Sequence, residues 1–372
     1  MKTEIRGLTG LRGIAALTVF LAHTRETLGE RGLHLPVSSL VERLFLNGGR
    51  QVDIFFVLSG FILAMTYGSW FSGAISRSGY LKFMQRRFAR IYPLHFVMLL
   101  AVITMVVAAH VTGANTRLGL GRFEFRTLPE YFLLIHAWNL FGNGVGQWNP
   151  PSWSISIEAL AYLIFPFWIF LASGWAKTRP WLLVLGAVIC GFALNAVIPW
   201  GIDGIPGIAR GITEFVLGCA VFNVASSGIA NWFRSELGAI VAVLILVVAY
   251  ALTPDIGFDI GVAAAPLLLT LCANNAVSRA LGGRVVFFLG EISYSIYLGH
   301  FLFSSISYRL ISVDWMRTGP VATVVGIAFI LAFVLTLSTI TYYTVELPAR
   351  NFLSGRRRPA PVVAPVGAAG PT

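Results

Sequence analysis

Few residues of this chain can do acid–base or anion chemistry, and they fall in small groups inside apolar sequence. Arg12 and His23 lie eleven residues apart in LTGLRGIAALTVFLAH. Eleven residues is about three helical turns, so both side chains share one face within roughly 20° and stand about 16 Å apart along the axis. A guanidinium holds anions, and an imidazole takes and returns protons near neutral pH. Arg86, Arg87 and Arg90 follow in QRRFARIYP, with Arg87 and Arg90 neighbours on one helical face. Forked guanidinium donors match phosphate oxygens, so this group suits a phosphate site. Ser154 and Glu158 stand four apart in NPPSWSISIEALAYLIFP, which puts a hydroxyl beside a carboxylate.

Each group also has a plainer account. Arg12 can snorkel to a membrane boundary while His23 makes a structural hydrogen bond. A basic cluster at the end of a span serves topology. Pro150 and Pro151 stop a helix from extending backward, so Ser152 or Ser154 can cap its start, and Glu158 suits the positive end of its dipole. Asp53 opens QVDIFFVLSGF in the same way. Glu214 lies four residues from Arg210, the spacing of a buried ion pair. GEISYSIYLGHF gathers Glu291, His300 and a run of serines and tyrosines in one otherwise apolar stretch. His34, His95, His110 and His136 lack a comparable setting and read as structural. Cys190, Cys219 and Cys272 sit in apolar runs with neither disulfide nor metal spacing. No HExxH, CxxC or GxxxxGK occurs, so no metal is expected.

The elements that carry these groups follow from composition. Of 372 residues, 56% are apolar and only 12% charged, about half the charged fraction of a soluble domain. With a mean hydropathy of +0.77, the solvent for most of the surface is lipid. The net charge of +11 then reflects retention of Lys and Arg at the cytoplasmic face rather than nucleic-acid binding. The first apolar stretch is broken by Arg12 and His23 and lacks a small-residue cleavage site, so it is not a cleaved signal. Runs long enough to cross lie near 10–24, 52–70, 92–112, 154–173, 180–199, 207–224, 236–253, 260–276, 285–306 and 320–343. The stretch 129–141 is too short and reads as a re-entrant or interfacial helix. The expectation is an all-α polytopic membrane protein of about ten spans with both termini cytoplasmic. That orientation puts 17 of the 27 Lys and Arg inside. Residues 1–350 form one transmembrane domain, and 351–372, basic and then rich in Pro and Ala, form a disordered cytoplasmic tail against anionic lipid.

LTGLRGIAALTVFLAH, QVDIFFVLSGFIL, RRFARIYPLH, WSISIEALAYLIFP, LGEISYSIYLGHF and VELPAR occur in this order over positions 8–350. Together they resemble the membrane acyltransferase-3 family, which includes bacterial O-acetyltransferases of surface polysaccharides and macrolide sugars. The resemblance places the family's Arg–ten residues–His signature on Arg12 and His23, its RxxR pair on Arg87 and Arg90, and its Ser–x–x–x–Glu signature on Ser154 and Glu158. Two positions depart from the pattern: Gly299 stands where an aromatic often precedes the late histidine, and Gln51 where a glycine often precedes the aspartate. The extracytoplasmic esterase-like domain of some members is not expected, since the chain ends soon after its last span.

The resemblance implies transfer of an acyl group, usually acetyl, from cytosolic acyl-CoA to a sugar hydroxyl of an exported or surface glycan, at the bacterial cytoplasmic membrane. Arg12, Arg87 and Arg90 are then expected to hold acyl-CoA phosphates. His23 is expected to act as general base, Glu158 to orient or stabilise its ring, and Ser154 to position substrate or an oxyanion, with direct transfer and a covalent acyl-Ser154 or acyl-His23 intermediate both open. Asp53, Ser156 and His300 are candidates for the acceptor site or for support of these groups. Acyl-CoA is a co-substrate, with no permanently bound cofactor. The other partners are a carbohydrate acceptor and membrane lipid, with no nucleic acid, and homo-oligomerisation is compatible with the sequence. The competing reading is a transporter or flippase for an anionic or glycan substrate, since polar residues along spans also mark substrate paths.

Overall fold

The computed structural model describes residues 5–35, 48–112, 123–142, 148–225, 227–252 and 257–354. Every regular element among them is helical. The long elements are α1 (Arg6–Glu30), α2 (Gln51–Phe71), α3 (Arg77–Val111), then, after the short α4 (Leu128–Phe132), α5 (Trp153–Thr178), α6 (Pro180–Val197) and α7 (Gly204–Asn223). The chain continues through α8 (Gly228–Arg234), α9 (Glu236–Leu252), α10 (Asp259–Leu271), α11 (Ala276–Leu281), α12 (Arg284–Glu291) and α13 (Ser293–Leu310). It closes with α14 (Val313–Met316), α15 (Pro320–Thr341), a π-helical turn (Tyr342–Glu346) and α16 (Leu347–Leu353).

By length and hydropathy this is a multi-pass membrane protein. Six helices can cross a bilayer: α2, α3, α5, α6, α7 and α15 with its continuation. A seventh arises when α12 and α13, bent by 66° at their junction, count as one span. The remaining apolar runs also fall on helices, but α9 and α10 have only 17 and 13 residues, and α1 carries Arg6, Arg12, Arg25, Glu26 and Glu30. The run expected over 260–276 stops at Leu271 because Asn275 caps the next helix, its side chain accepting from the Ser278 amide. At the end of the chain, helix extends to Leu353, past the domain boundary expected at 350; residues 355–372 of the expected tail lie outside the described residues.

The segment 129–141 does not cross. It folds as α4 and a 3-10 turn, His136–Trp138, separated by Leu134 and followed by Asn139, both in the left-handed region at φ 59° and 53°. Ser156 on α5 pins it: its Oγ donates to the Leu134 carbonyl at 2.8 Å and accepts from the Ala137 amide at 3.2 Å. Burial first, and then His95 beside it, lower the His136 imidazole to about 3, so the ring is neutral. Because the Ser152 hydroxyl donates to the Asn149 carbonyl at 2.7 Å, His136 Nε2–H donates to Ser152 Oγ at 3.0 Å. Neither serine caps α5. Ser152 is used by His136, and Ser154 turns back to the Pro151 carbonyl at 3.3 Å.

Glycines let the central helices touch backbone to backbone. A Cβ on Gly60 of α2 would stand 1.9 Å from the Phe215 carbonyl oxygen, and one on Gly218 of α7 would stand 1.9 Å from that of Val57. Small residues at such crossings are how helices approach closely in lipid. Gly218→Val is therefore expected to force α2 and α7 apart and lower the midpoint of thermal unfolding in detergent, since overpacking costs about 1–3 kcal/mol or more. Gly73→Ala, with no heavy atom within 4 Å of its added Cβ, is the matched control and should melt as wild type.

Candidate active site

The second close approach sets up the site. Gly13 of α1 packs against the α12 backbone, where an added Cβ would lie 2.5 Å from the Gly290 amide. That contact brings Arg12 to the break between α12 and α13. Its Nη2 donates to the Gly290 carbonyl and its Nε to Ser293 Oγ, both at 2.9 Å. The bend thus supplies a carbonyl that a continuous helix would keep for itself, and Ser293 Oγ also donates to it, at 2.8 Å.

The other two arginines arrive on α3. Arg87 donates to the Tyr67 hydroxyl at 3.0 Å and lies over the Tyr67 ring at 5.0 Å, while its buried Nε has no hydrogen-bond partner among the described residues. Arg90 forms an ion pair with Glu346, which is buried and also accepts from Ser295 Oγ at 3.0 Å. Glu346 closes the π-helical turn after α15, so the last long helix is tied to α3 and α13 through one carboxylate. Such π turns recur at functional sites because they re-aim a side chain.

From α5, Glu158 and Ser154 face these groups. Glu158 Oε1 accepts from Tyr162 at 2.6 Å and from Ser59 of α2 at 2.8 Å. Ser154 Oγ is 2.8 Å from the Tyr297 hydroxyl of α13. Arg12, Arg87, Arg90, Ser154, Glu158 and Tyr297 all line one cavity of about 130 Å³, with Phe55, Phe56 and Ile62 on its apolar wall. Five of the residues singled out from sequence, drawn from three separate helices, therefore meet at one place.

His23 is not among the residues lining that cavity. It is exposed, its Nδ1 lies 3.0 Å from the Val19 carbonyl, and its ring stacks on His300 with centroids 5.2 Å apart. A carbonyl only accepts, so in the neutral ring Nδ1 carries the proton and Nε2 keeps the basic lone pair. His300, itself buried, is held the same way by the Tyr297 carbonyl at 2.7 Å. The expected bond between Glu158 and the His23 imidazole is not made: Glu158 lines the cavity, where its Oε1 accepts from Tyr162 and Ser59, and His23 does not. The geometry explains the separation. Along α13, Ser293 sits beside Arg12 and His300 beside His23, with Tyr297 between them reaching Ser154.

Asp53 and Ser156 lie outside the cavity lining. Asp53 Oδ1 accepts from Arg210 Nε at 2.6 Å, both side chains fully buried, and Arg210 Nη2 donates to the Gly49 carbonyl at 2.6 Å. The ion pair expected between Arg210 and Glu214 is thus formed with Asp53 instead: the i,i+4 carboxylate yields to one presented across the helix interface. Among the described residues no three His, Cys, Asp or Glu side chains gather in a metal-binding group. Reasoning from sequence missed Ser59, Tyr162, Tyr297 and Glu346. Glu158 and Tyr162 stand four apart on one helix, a legible signal, whereas Ser59 and Glu346 arrive from distant elements.

Comparison with known proteins identifies the family of the chain. The acyltransferase-3 family, described as an acyltransferase domain, matches residues 5–343. The acyltransferase MdmB of Streptomyces mycarofaciens is 30% identical over 96% of this chain and 94% of its own length. YrhL of Bacillus subtilis is 25% identical over 95% of this chain and 56% of its own length. The peptidoglycan O-acetyltransferase OatA of Listeria monocytogenes is 26% identical over 55% of this chain and 30% of its own length. No solved structure matches.

Proposed function

The chain belongs to the membrane acyltransferase-3 family and is an acyltransferase of the O-acetyltransferase type; from that premise we propose that it carries an acyl group from cytosolic acyl-CoA to a hydroxyl of a surface or exported carbohydrate. The observation that carries this reading is the cavity shared by Arg12, Arg87, Arg90, Ser154 and Glu158. Three guanidinium groups on a small, partly apolar cavity suit a ligand with phosphates at one end and a short acyl thioester at the other. The names of MdmB and OatA point to acyl, and in OatA acetyl, as the transferred group.

In the proposed reaction the donor phosphates lie at the arginines and the thioester reaches toward Tyr297 and Ser154. His23 Nε2 takes the proton of the acceptor hydroxyl, whose oxygen attacks the thioester carbonyl. The new C–O bond forms as the C–S bond breaks, and the leaving thiolate recovers the proton from the imidazolium. General base catalysis of this kind contributes about 10²–10⁴-fold. Glu158 supplies a fixed negative charge beside the guanidinium groups, and Ser154 offers a hydroxyl to the developing oxyanion. The proposed location is the bacterial cytoplasmic membrane, with donor on the inner side.

The direct test is release of free thiol from acetyl-CoA by detergent-purified protein when bacterial glycan fractions are added. Acceptor-dependent thiol release supports the transferase. Its absence with every fraction, together with solute flux in proteoliposomes, would support a transporter. Tyr162→Phe removes one of two donors to the Glu158 carboxylate, and hydrogen bonds to charged groups contribute about 1.5–3 kcal/mol. Turnover should therefore fall roughly ten- to a hundred-fold, and a variant turning over at the wild-type rate would show that Glu158 needs no such support.

A further inference from the structure

Tyr297 touches both halves of the site. Its side chain lines the cavity that holds Arg12, Arg87, Arg90 and Glu158, and its hydroxyl meets Ser154 at 2.8 Å. Its carbonyl fixes the His300 ring at 2.7 Å, and its own ring stands edge-on to His300 with centroids 6.2 Å apart. Phe55 braces the same ring from the cavity wall, edge-on at 5.4 Å. Beyond Tyr297 lie His300 and then His23, neither of which lines the cavity.

Resting on the acyltransferase reading above, we propose that the Tyr297 side chain is a partition between the donor cavity and the His23–His300 pair, latched by Ser154. With the latch closed, the base and any water beside exposed His23 are kept from the thioester, so bound acyl-CoA is not hydrolysed. Displacing the ring breaks one side-chain hydrogen bond and lets the acyl group pass to the His23 side, where the acceptor hydroxyl waits. Tyr297 thus decides between transfer to sugar and loss to water without exchanging a proton or bond itself. Ser154, held between the Pro151 carbonyl and the tyrosine hydroxyl, gains a role as the catch as well as a substrate contact.

The test needs no acceptor. Detergent-purified full-length protein is given acetyl-CoA alone, and free thiol is followed as water replaces the sugar: thioester plus water gives acetate and CoA thiol. Wild type should release thiol slowly. Tyr297→Ala, with the ring gone, should release it at least tenfold faster. Tyr297→Phe, with ring kept and latch lost, should fall between the two. Adding His23→Ala to Tyr297→Ala should return the leak to the wild-type rate, because the water admitted is activated by that base. Tyr297→Leu carries the same expectations as the alanine variant if the latter does not fold. A monodisperse Tyr297→Ala or Tyr297→Leu protein that binds acetyl-CoA and leaks no faster would overturn the partition. So would a leak that persists undiminished in the double variant. Wild-type protein that binds no acetyl-CoA would instead overturn the donor reading, and the partition with it.

Discussion

Replacing Arg87 and Arg90 together by alanine is expected to weaken acetyl-CoA binding by about 10²–10⁴-fold. Each charge-assisted hydrogen bond contributes about 1.5–3 kcal/mol, and every 1.4 kcal/mol is tenfold in affinity. The two residues do not contribute in the same way. Arg87 is held by the Tyr67 hydroxyl and ring, with an Nε that no described group satisfies, so it can turn to a ligand at little cost. Arg90 is the counter-ion of buried Glu346. Removing it leaves a carboxylate in the interior, and breaking a buried pair from one side costs about 3–5 kcal/mol of stability. Arg87→Ala alone should thus lose about 10–100-fold in affinity at unchanged thermal stability, whereas Arg90→Ala should lose both. Pairing Arg90→Ala with Glu346→Gln should restore stability but not affinity. Titration calorimetry beside thermal unfolding separates these outcomes; Arg87→Ala binding as wild type would remove that residue from the donor site.

His23→Ala is expected to lower acceptor-dependent turnover by about 10²–10⁴-fold, the usual contribution of a general base, while acetyl-CoA affinity stays within about twofold. The second half of that expectation comes from the structure: His23 stands with His300 outside the cavity lining, about 16 Å along α1 from Arg12. A base that belongs to the acceptor side alters kcat and leaves donor binding alone. Unchanged turnover would end the base assignment. Loss of donor binding would mean that the ligand lies along the whole face of α1.

Much of this architecture was legible because lipid makes polar residues conspicuous. Arg12, Arg87, Arg90, Ser154 and Glu158 stood out as costly groups in apolar runs, and they share one cavity. Periodicity on a single helix also placed His23 on the face of Arg12. What it does not reveal is which neighbour a side chain meets across a helix interface. Glu214 has the right spacing for Arg210, yet Asp53, presented from α2 across the interface with α7, takes the guanidinium. Glu158 was expected beside an imidazole, but the hydroxyls of Ser59 and Tyr162 hold it. Ser156, a candidate for the acceptor site, instead secures the short segment between α4 and α5 through the Leu134 carbonyl and the Ala137 amide. Long-range pairs such as Arg90 with Glu346 join residues far apart in the chain, and no local pattern announces them.

Equilibrium binding of acetyl-CoA to monodisperse, detergent-purified wild-type protein tests most directly whether this cavity takes an acyl donor. Saturable binding in the micromolar range, displaced by free CoA, is the expected result. A folded protein that shows no saturable binding would contradict it.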